Sequence, residues 1–201
     1  MMDGNQLRKN KKKEDIKNAA YKMFMTYGFK KTSIAQVAKL AGCSQVTLYK
    51  YFPSKVDLGR AIVMSLIVDG YDEYDKQLDD TSKSFMDKMQ DMMVSSVNIS
   101  DNINNDFFKF MIDEFQGRNG DDHVMKKYDM LKFGFWRKLL NQGRAEHVVS
   151  DEISDYGAMI YLDMYVQYVM RPGGVSYKNA VEMKKHEKEL VHMFFYGIIG
   201  K

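Results

Sequence analysis

The chain has little of what staples, breaks or crosses. Its 201 residues hold one cysteine, Cys43, two prolines, Pro53 and Pro172, one tryptophan and four histidines. A single cysteine excludes an intrachain disulfide and fits a reducing compartment. No apolar run approaches the roughly 18 to 20 residues of a membrane span, and no apolar core follows the basic N-terminus as a signal peptide requires. A cytoplasmic location is therefore expected. His123, His147, His186 and His192 show no i, i+4 ligand spacing and have no cysteine nearby, so no metal site is expected. There is no phosphate-binding glycine loop and no Gly-x-Ser-x-Gly elbow. Asp113-Glu114 and Asp121-Asp122 are adjacent pairs that cannot face each other on a helix, and they read as solvated helix ends. No enzymatic role and no cofactor are expected. A chain of this length can bury a core without metals or disulfides.

Charge is unevenly spread. Residues 1–60 carry 13 Lys and Arg against 4 acids, about +9, while the remainder carries 17 against 23, about −6, for a net +3. Such a split suggests a basic module for a polyanion and an acidic module for something else. The plainer alternative is a solvated basic tail, since Arg8, Lys9, Lys11, Lys12 and Lys13 supply much of the excess.

The residues after that tail carry a more specific pattern. Ile16, Ala19, Ala20, Met23, Phe24 and Tyr27 fall at helical spacing. The helix is expected from Glu14, with Glu14 and Asp15 in its first turn and Gly28 as a left-handed cap. Ser33 and Gln36 form a capping box for a second helix whose buried face holds Ile34, Val37, Ala38 and Ala41. Gly42 turns the backbone, and Cys43 reads as a small filler beside that turn. Ser44 caps a third helix, Gln45 to Phe52, which Pro53 stops. Leu48 and Phe52 share one face of it. The remaining side chains are an amide, hydroxyl, methyl, phenol and ammonium set, the groups that meet base edges and phosphates.

The run Thr32-Ser33-Ile34, Val37-Ala38, Ala41-Gly42, Ser44, Thr47-Leu48-Tyr49, Tyr51-Phe52 and Ser54-Lys55 resembles the N-terminal DNA-binding domain of the tetracycline-repressor (TetR) family over residues 12–60. The resemblance implies that Gln45, Val46, Thr47 and Tyr49 face base edges. It implies that Lys50, Tyr51 and Lys55 hold phosphates, with Ser33 touching one from the second helix. Gln45 and Val46 occupy a variable part of the motif, so the operator is not legible, and Ala35 offers no polar contact. Lys11–Lys13 could enter the minor groove as an arm or raise non-specific attraction, and the second is preferred.

Beyond Ser54, capped with Asp57, helices are expected at 54–79, 82–97, 106–116, 121–142, 151–170 and from 176 or 177 to 199, with breaks at polar or glycine-rich stretches such as Pro172-Gly173-Gly174. The fold class is all-α. The expected division is 1–53, a basic arm and helix-turn-helix domain, and 54–201, a helical effector-binding and dimerisation domain. The Met, Phe and Tyr content there fits ordinary core, or a pocket that adapts to apolar ligands. The resemblance favours a small hydrophobic effector, with Met111, Phe115, Phe135, Trp136, Tyr161 and Tyr165 as candidate lining. Tyr156, Met159, Ile160, Asp163, Met164 and Gln167, with Leu190, Met193, Phe194, Gly197 and Ile198, make the last two helices unusually apolar. In the family the corresponding helices pair as a dimer interface; alternatively they complete the monomer core. The implied function is a dimeric transcriptional regulator on a palindromic operator, a repressor released by its effector. The alternative is a ligand-independent structural or division-control protein on the same scaffold.

Overall fold

The computed structural model describes residues 4–92 and 103–170, without the side chains of 165–170, together with His186, Glu189, His192 and Met193. Among these residues the fold is all-helical. The helices are α1 Gly4–Tyr27, α2 Ile34–Leu40, α3 Gln45–Tyr51 and α4 Lys55–Asp79, then α5 (85–92 in its described part), α6 Asn105–Phe115, α7 His123–Ala145 and α8 Asp155–Met170. The chain divides into two compact units, Met1–Val68 with Asn102–Tyr128, and Asp69–Asp101 with Asp129–Lys201. The expected break at Pro172 and most of the expected last helix lie outside the described residues.

In the first unit α1 buries Ile16, Ala20 and Phe24, the stripe expected from its spacing. It begins at Gly4, ten residues before the expected start. The segment before Glu14 has strong helix formers such as Leu7, Arg8 and the lysines but no apolar stripe, so periodicity is blind to it. Glu14 and Asp15 are therefore not in a first turn. They face Lys17 at 2.9 Å and Lys12 at 3.9 Å instead. Lys11–Lys13 belong to this helix rather than to an extended arm.

Gly28 closes α1 with φ 87°, its N–H donating to the Phe24 carbonyl at 3.0 Å. Thr32 is buried and donates back to the Gly28 carbonyl at 2.8 Å, which stitches the turn. α6 lies over this corner. Phe107 sits 5.4 Å from Phe24, and Phe110 stacks on Phe29 at 3.9 Å between ring centroids. Gly59 on α4 leaves room for this packing, since a Cβ there would lie 2.7 Å from Phe110 and 2.8 Å from Phe29.

One expectation fails here. Glu114 is not a solvated helix end but fully buried. Arg60 Nε donates to it at 2.7 Å and Asn119 Nδ2 at 2.7 Å. Arg60 also meets Asp57 at 3.2 Å and Asp121 at 3.4 Å. Burial alone draws the Arg60 pKa down, but the hydrogen bond and charge of Glu114, with Asp121 and Asp57, more than offset it and hold it up. The partner is 54 residues away in sequence, so local spacing could not reveal it.

The second unit has a core of Leu78, Phe85, Met89, Phe135, Leu139 and Leu140 with their neighbours from α8. Lys88 is buried and caps the end of α4 by donating to the Leu78 carbonyl at 2.8 Å. His147, with φ 56°, ends α7 where glycine is usual. Arg144 ties the start of α8, meeting Asp155 at 2.8 Å and the Ile153 carbonyl at 2.6 Å.

Candidate nucleic-acid interface

The α2–α3 pair is built by local bonds that the sequence announces. Ser33, extended at φ −101°, accepts the Gln36 N–H at 3.3 Å, and Gln36 Oε1 accepts the Ser33 N–H at 2.9 Å. Gly42 turns the chain at φ 61°. The Cys43 N–H then donates to the Ala38 carbonyl at 3.0 Å, with Cys43 half-buried. Ser44 caps α3 by accepting the Thr47 N–H at 3.0 Å. Each such cap is worth about 1 kcal/mol, which matters for helices too short to stand alone.

Packing sets which face α3 shows. Leu48 and Phe52 are buried, and truncating a buried leucine costs about 2–5 kcal/mol. That anchor turns Gln45, Val46, Tyr49 and Lys50 outward, positions i, i+1, i+4 and i+5, which form one continuous helical face. Val46 is 68% exposed, a bare pair of methyls on a surface otherwise polar. Thr47 and Tyr51 flank this face half-buried, and the Thr47 hydroxyl lies 2.9 Å from that of Ser44. Lys30, Lys31, Lys39 and Lys50 are exposed on the same unit, a cationic surround with groups able to meet a polyanion.

Lys55 is placed differently. Its Nζ donates to the Lys30 carbonyl at 3.3 Å and lies 4.6 Å from the centre of the Phe29 ring. Burial draws its pKa down, and the charge of Asp106 opposes that. Asp106, on the first turn of α6, accepts the Lys30 N–H at 2.6 Å. Asn104, Asp106 and Arg60 went unnoticed in the sequence because each acts on a residue distant along the chain.

The six candidate pocket residues are divided between the two units. Met111, buried, and Phe115, half-buried and 4.9 Å from Tyr128, belong to the first unit. Phe135 and Trp136 belong to the second, where Phe135 is surrounded by Tyr71, Tyr74 and Trp136 at 5.7–5.9 Å. Tyr161 is exposed, and the side chain of Tyr165 lies outside the described residues. A separate open cavity of about 570 Å³ in the second unit lies between Met130, Phe133 and Arg137 of α7 and Asp155, Tyr156 and Met159 of α8. It includes none of the six. The apolar set on α8 is also split. Met159 is core, and Asp163 holds the buried Lys132 at 2.6 Å. Tyr156, Ile160 and Met164 remain exposed at 75%, 47% and 65%, one stripe at i, i+4 and i+8. Met193 is exposed as well, while Gln167, Leu190, Phe194, Gly197 and Ile198 lie outside the described side chains. No helix among the described residues is long and apolar enough to cross a membrane.

The model for the tetR family of bacterial regulatory proteins matches residues 16–62. The chain is 41% identical over 56 residues to the HTH-type transcriptional regulator RutR of Escherichia coli, covering 28% of this chain and 26% of that one. It is 24% identical over 148 residues to the HTH-type transcriptional regulator YfiR of Bacillus subtilis, 70% and 71% of the two chains. In structure it is similar to SmeT, the repressor of the Stenotrophomonas maltophilia multidrug efflux pump SmeDEF. The TM-score is 0.66 at 16% identity, over 92% of this chain and 88% of that one.

Proposed function

Because the chain belongs to the TetR family of bacterial transcriptional regulators, and is a DNA-binding regulator rather than an enzyme, we propose that it is a homodimeric repressor released by a small hydrophobic effector. The observation that carries its DNA-reading side is the outward face of Gln45, Val46, Tyr49 and Lys50 on a helix pinned by Leu48. Gln45 suits the bidentate pairing with adenine, and the Val46 and Thr47 methyls suit thymine. Lys50, Tyr51 and Ser33 hold phosphates, which set register without reading sequence. One seven-residue helix meets few base pairs, so a palindromic site read by two copies, about 34–36 Å apart or wider, is the natural target. The exposed α8 stripe, with the last helix, supplies the dimer contact. Residues 1–53 read DNA, and 54–201 bind the effector and pair the copies.

An effector acts only through a difference in affinity between two conformations. The Met and aromatic content of the larger part supports an apolar ligand. One observation favours the ligand-free alternative: Phe135 is already enclosed by Tyr71, Tyr74 and Trp136. Thermal-shift measurements with fatty acids, hydrophobic drugs and dyes separate these readings; stabilisation that also weakens DNA binding supports the effector, and none at all supports the alternative. For the DNA face, binding to duplexes enriched from a random library is the test. Gln45→Ala should change sequence preference, and Lys50→Ala should weaken all duplexes alike and lower the salt slope by about one. Unchanged preference in Gln45→Ala would remove that residue from the reading face.

A further inference from the structure

The turn that leads into α2 is held from two sides by residues outside the helix-turn-helix. Both backbone polar groups of Lys30 are engaged. Its N–H meets the Asp106 carboxylate at 2.6 Å, and its carbonyl meets the Lys55 ammonium at 3.3 Å. The acid comes from α6, 76 residues on, and the base from the first residue of α4. Asn104, which caps α6, adds a bond from its Nδ2 to the Thr26 carbonyl at 3.4 Å. Gly28 makes the approach possible: a Cβ there would lie 2.8 Å from Asn104 Oδ1 and 2.9 Å from Asp106 Oδ2.

We propose that Asp106 and Lys55 are positioning residues for DNA binding, which hold the Lys30 backbone and thereby aim α2 and α3 at the duplex. It rests on the DNA-reading face assigned above. Only Lys31 and Thr32 separate this latch from Ser33, the cap of α2, and Thr32 is itself bonded back into the corner. α2 packs on both α1 and α3, so a displaced turn carries the recognition helix with it. Phosphate contacts must all be met in one orientation, and loosened aim weakens every contact together. Lys55 is thereby distinguished from Lys50. Lys50 is exposed, whereas the ammonium of Lys55 lies over the Phe29 ring, already bonded within the fold.

The test is anisotropy-monitored binding, across a salt series, of the full chain to a duplex enriched from a random library by the unaltered protein. Asp106→Ala and Lys55→Ala should each weaken binding about five- to tenfold, the effect expected for losing one hydrogen bond, with the salt slope unchanged. The double variant should be little worse than either single one, because both hold the backbone of one residue. Asp106→Asn keeps a carbonyl acceptor for the Lys30 N–H and should bind almost as the unaltered chain does. Lowering of the salt slope by about one in Lys55→Ala would make Lys55 a phosphate contact and overturn its part. Binding by Asp106→Ala equal to that of the unaltered chain, or Asp106→Asn as weak as Asp106→Ala, would overturn the part of Asp106. Amide exchange gives a readout independent of DNA: the Lys30 N–H should lose protection in Asp106→Ala and keep it in Asp106→Asn. Failure of the unaltered chain to enrich any duplex, with that exchange pattern intact, would instead refute the DNA-reading face.

Discussion

Replacing Arg60 by Met tests the account of the first unit most severely. The variant keeps a long, packable side chain and removes the guanidinium that faces Glu114 at 2.7 Å. Glu114 is fully buried, so its charge loses its main compensation. Removing one partner of a buried ion pair costs about 3–5 kcal/mol. The Asn119 amide, still 2.7 Å from the other carboxylate oxygen, returns about 1 kcal/mol. The expected loss is about 2–4 kcal/mol near pH 7, a fall of about 1–2 M in the urea midpoint for an m-value near 2 kcal/mol/M. Adding Glu114→Gln removes the charge and keeps an acceptor for Asn119, so the double variant should recover most of the loss. Urea unfolding of the four proteins at pH 7 closes the cycle. A cost for Arg60→Met below about 1 kcal/mol, or a double variant no more stable than the single one, would refute the assignment of Glu114 as a charge sustained by Arg60.

Two glycines on α4 give a paired test. Gly59→Ala drives a Cβ to 2.7 Å from the Phe110 ring; overpacking of about 1–3 kcal/mol should outweigh the helix-propensity gain of about 1 kcal/mol and lower the melting temperature. Gly70→Ala meets nothing within 4 Å and should raise it, by up to about 1 kcal/mol of stability. Ile160→Glu on the exposed α8 stripe should leave helix content by circular dichroism unchanged and shift sedimentation from dimer toward monomer; an unshifted dimer would remove this stripe from the interface. Leu48→Ala should cost about 2–5 kcal/mol, read by urea unfolding.

Legibility in the sequence tracks the range of the forces involved. The Ser33–Gln36 box, the Ser44 cap and the positive φ of Gly28 and Gly42 all act within four residues, so residue type and spacing suffice. The buried face of α3 was legible because Leu48 and Phe52 are one helical turn apart. The start of α1 was not, since its first residues are held by propensity and by pairs such as Gln6 with Asn10 at 3.0 Å, which leave no apolar stripe. Glu114 misled for the opposite reason. A carboxylate next to Asp113 reads as solvated, and only Arg60, brought in by tertiary packing, makes its burial tolerable. The α8 stripe was partly legible: periodicity flagged an apolar helix, but which of Met159 and Ile160 faces the core depends on α5 and α7, far off in sequence.

The same difference in range separates the segment proposed to read DNA from the unit in which it folds. Pro53 and the Ser54–Asp57 cap, with Asp57 N–H to Ser54 Oγ at 3.0 Å, mark a local break, and a functional division is proposed there. Burial ignores that break. Phe24 needs Phe107, Phe29 needs Phe110, and the Lys30 N–H needs Asp106. All three partners lie on α6, which shares a compact unit with α1, α2 and α3. A segment of about 53 residues buries too little surface to be more than marginal alone, and here it would also expose two phenylalanine rings. Any event that tilts α6 acts directly on Lys30, three residues ahead of the first residue proposed to touch a phosphate.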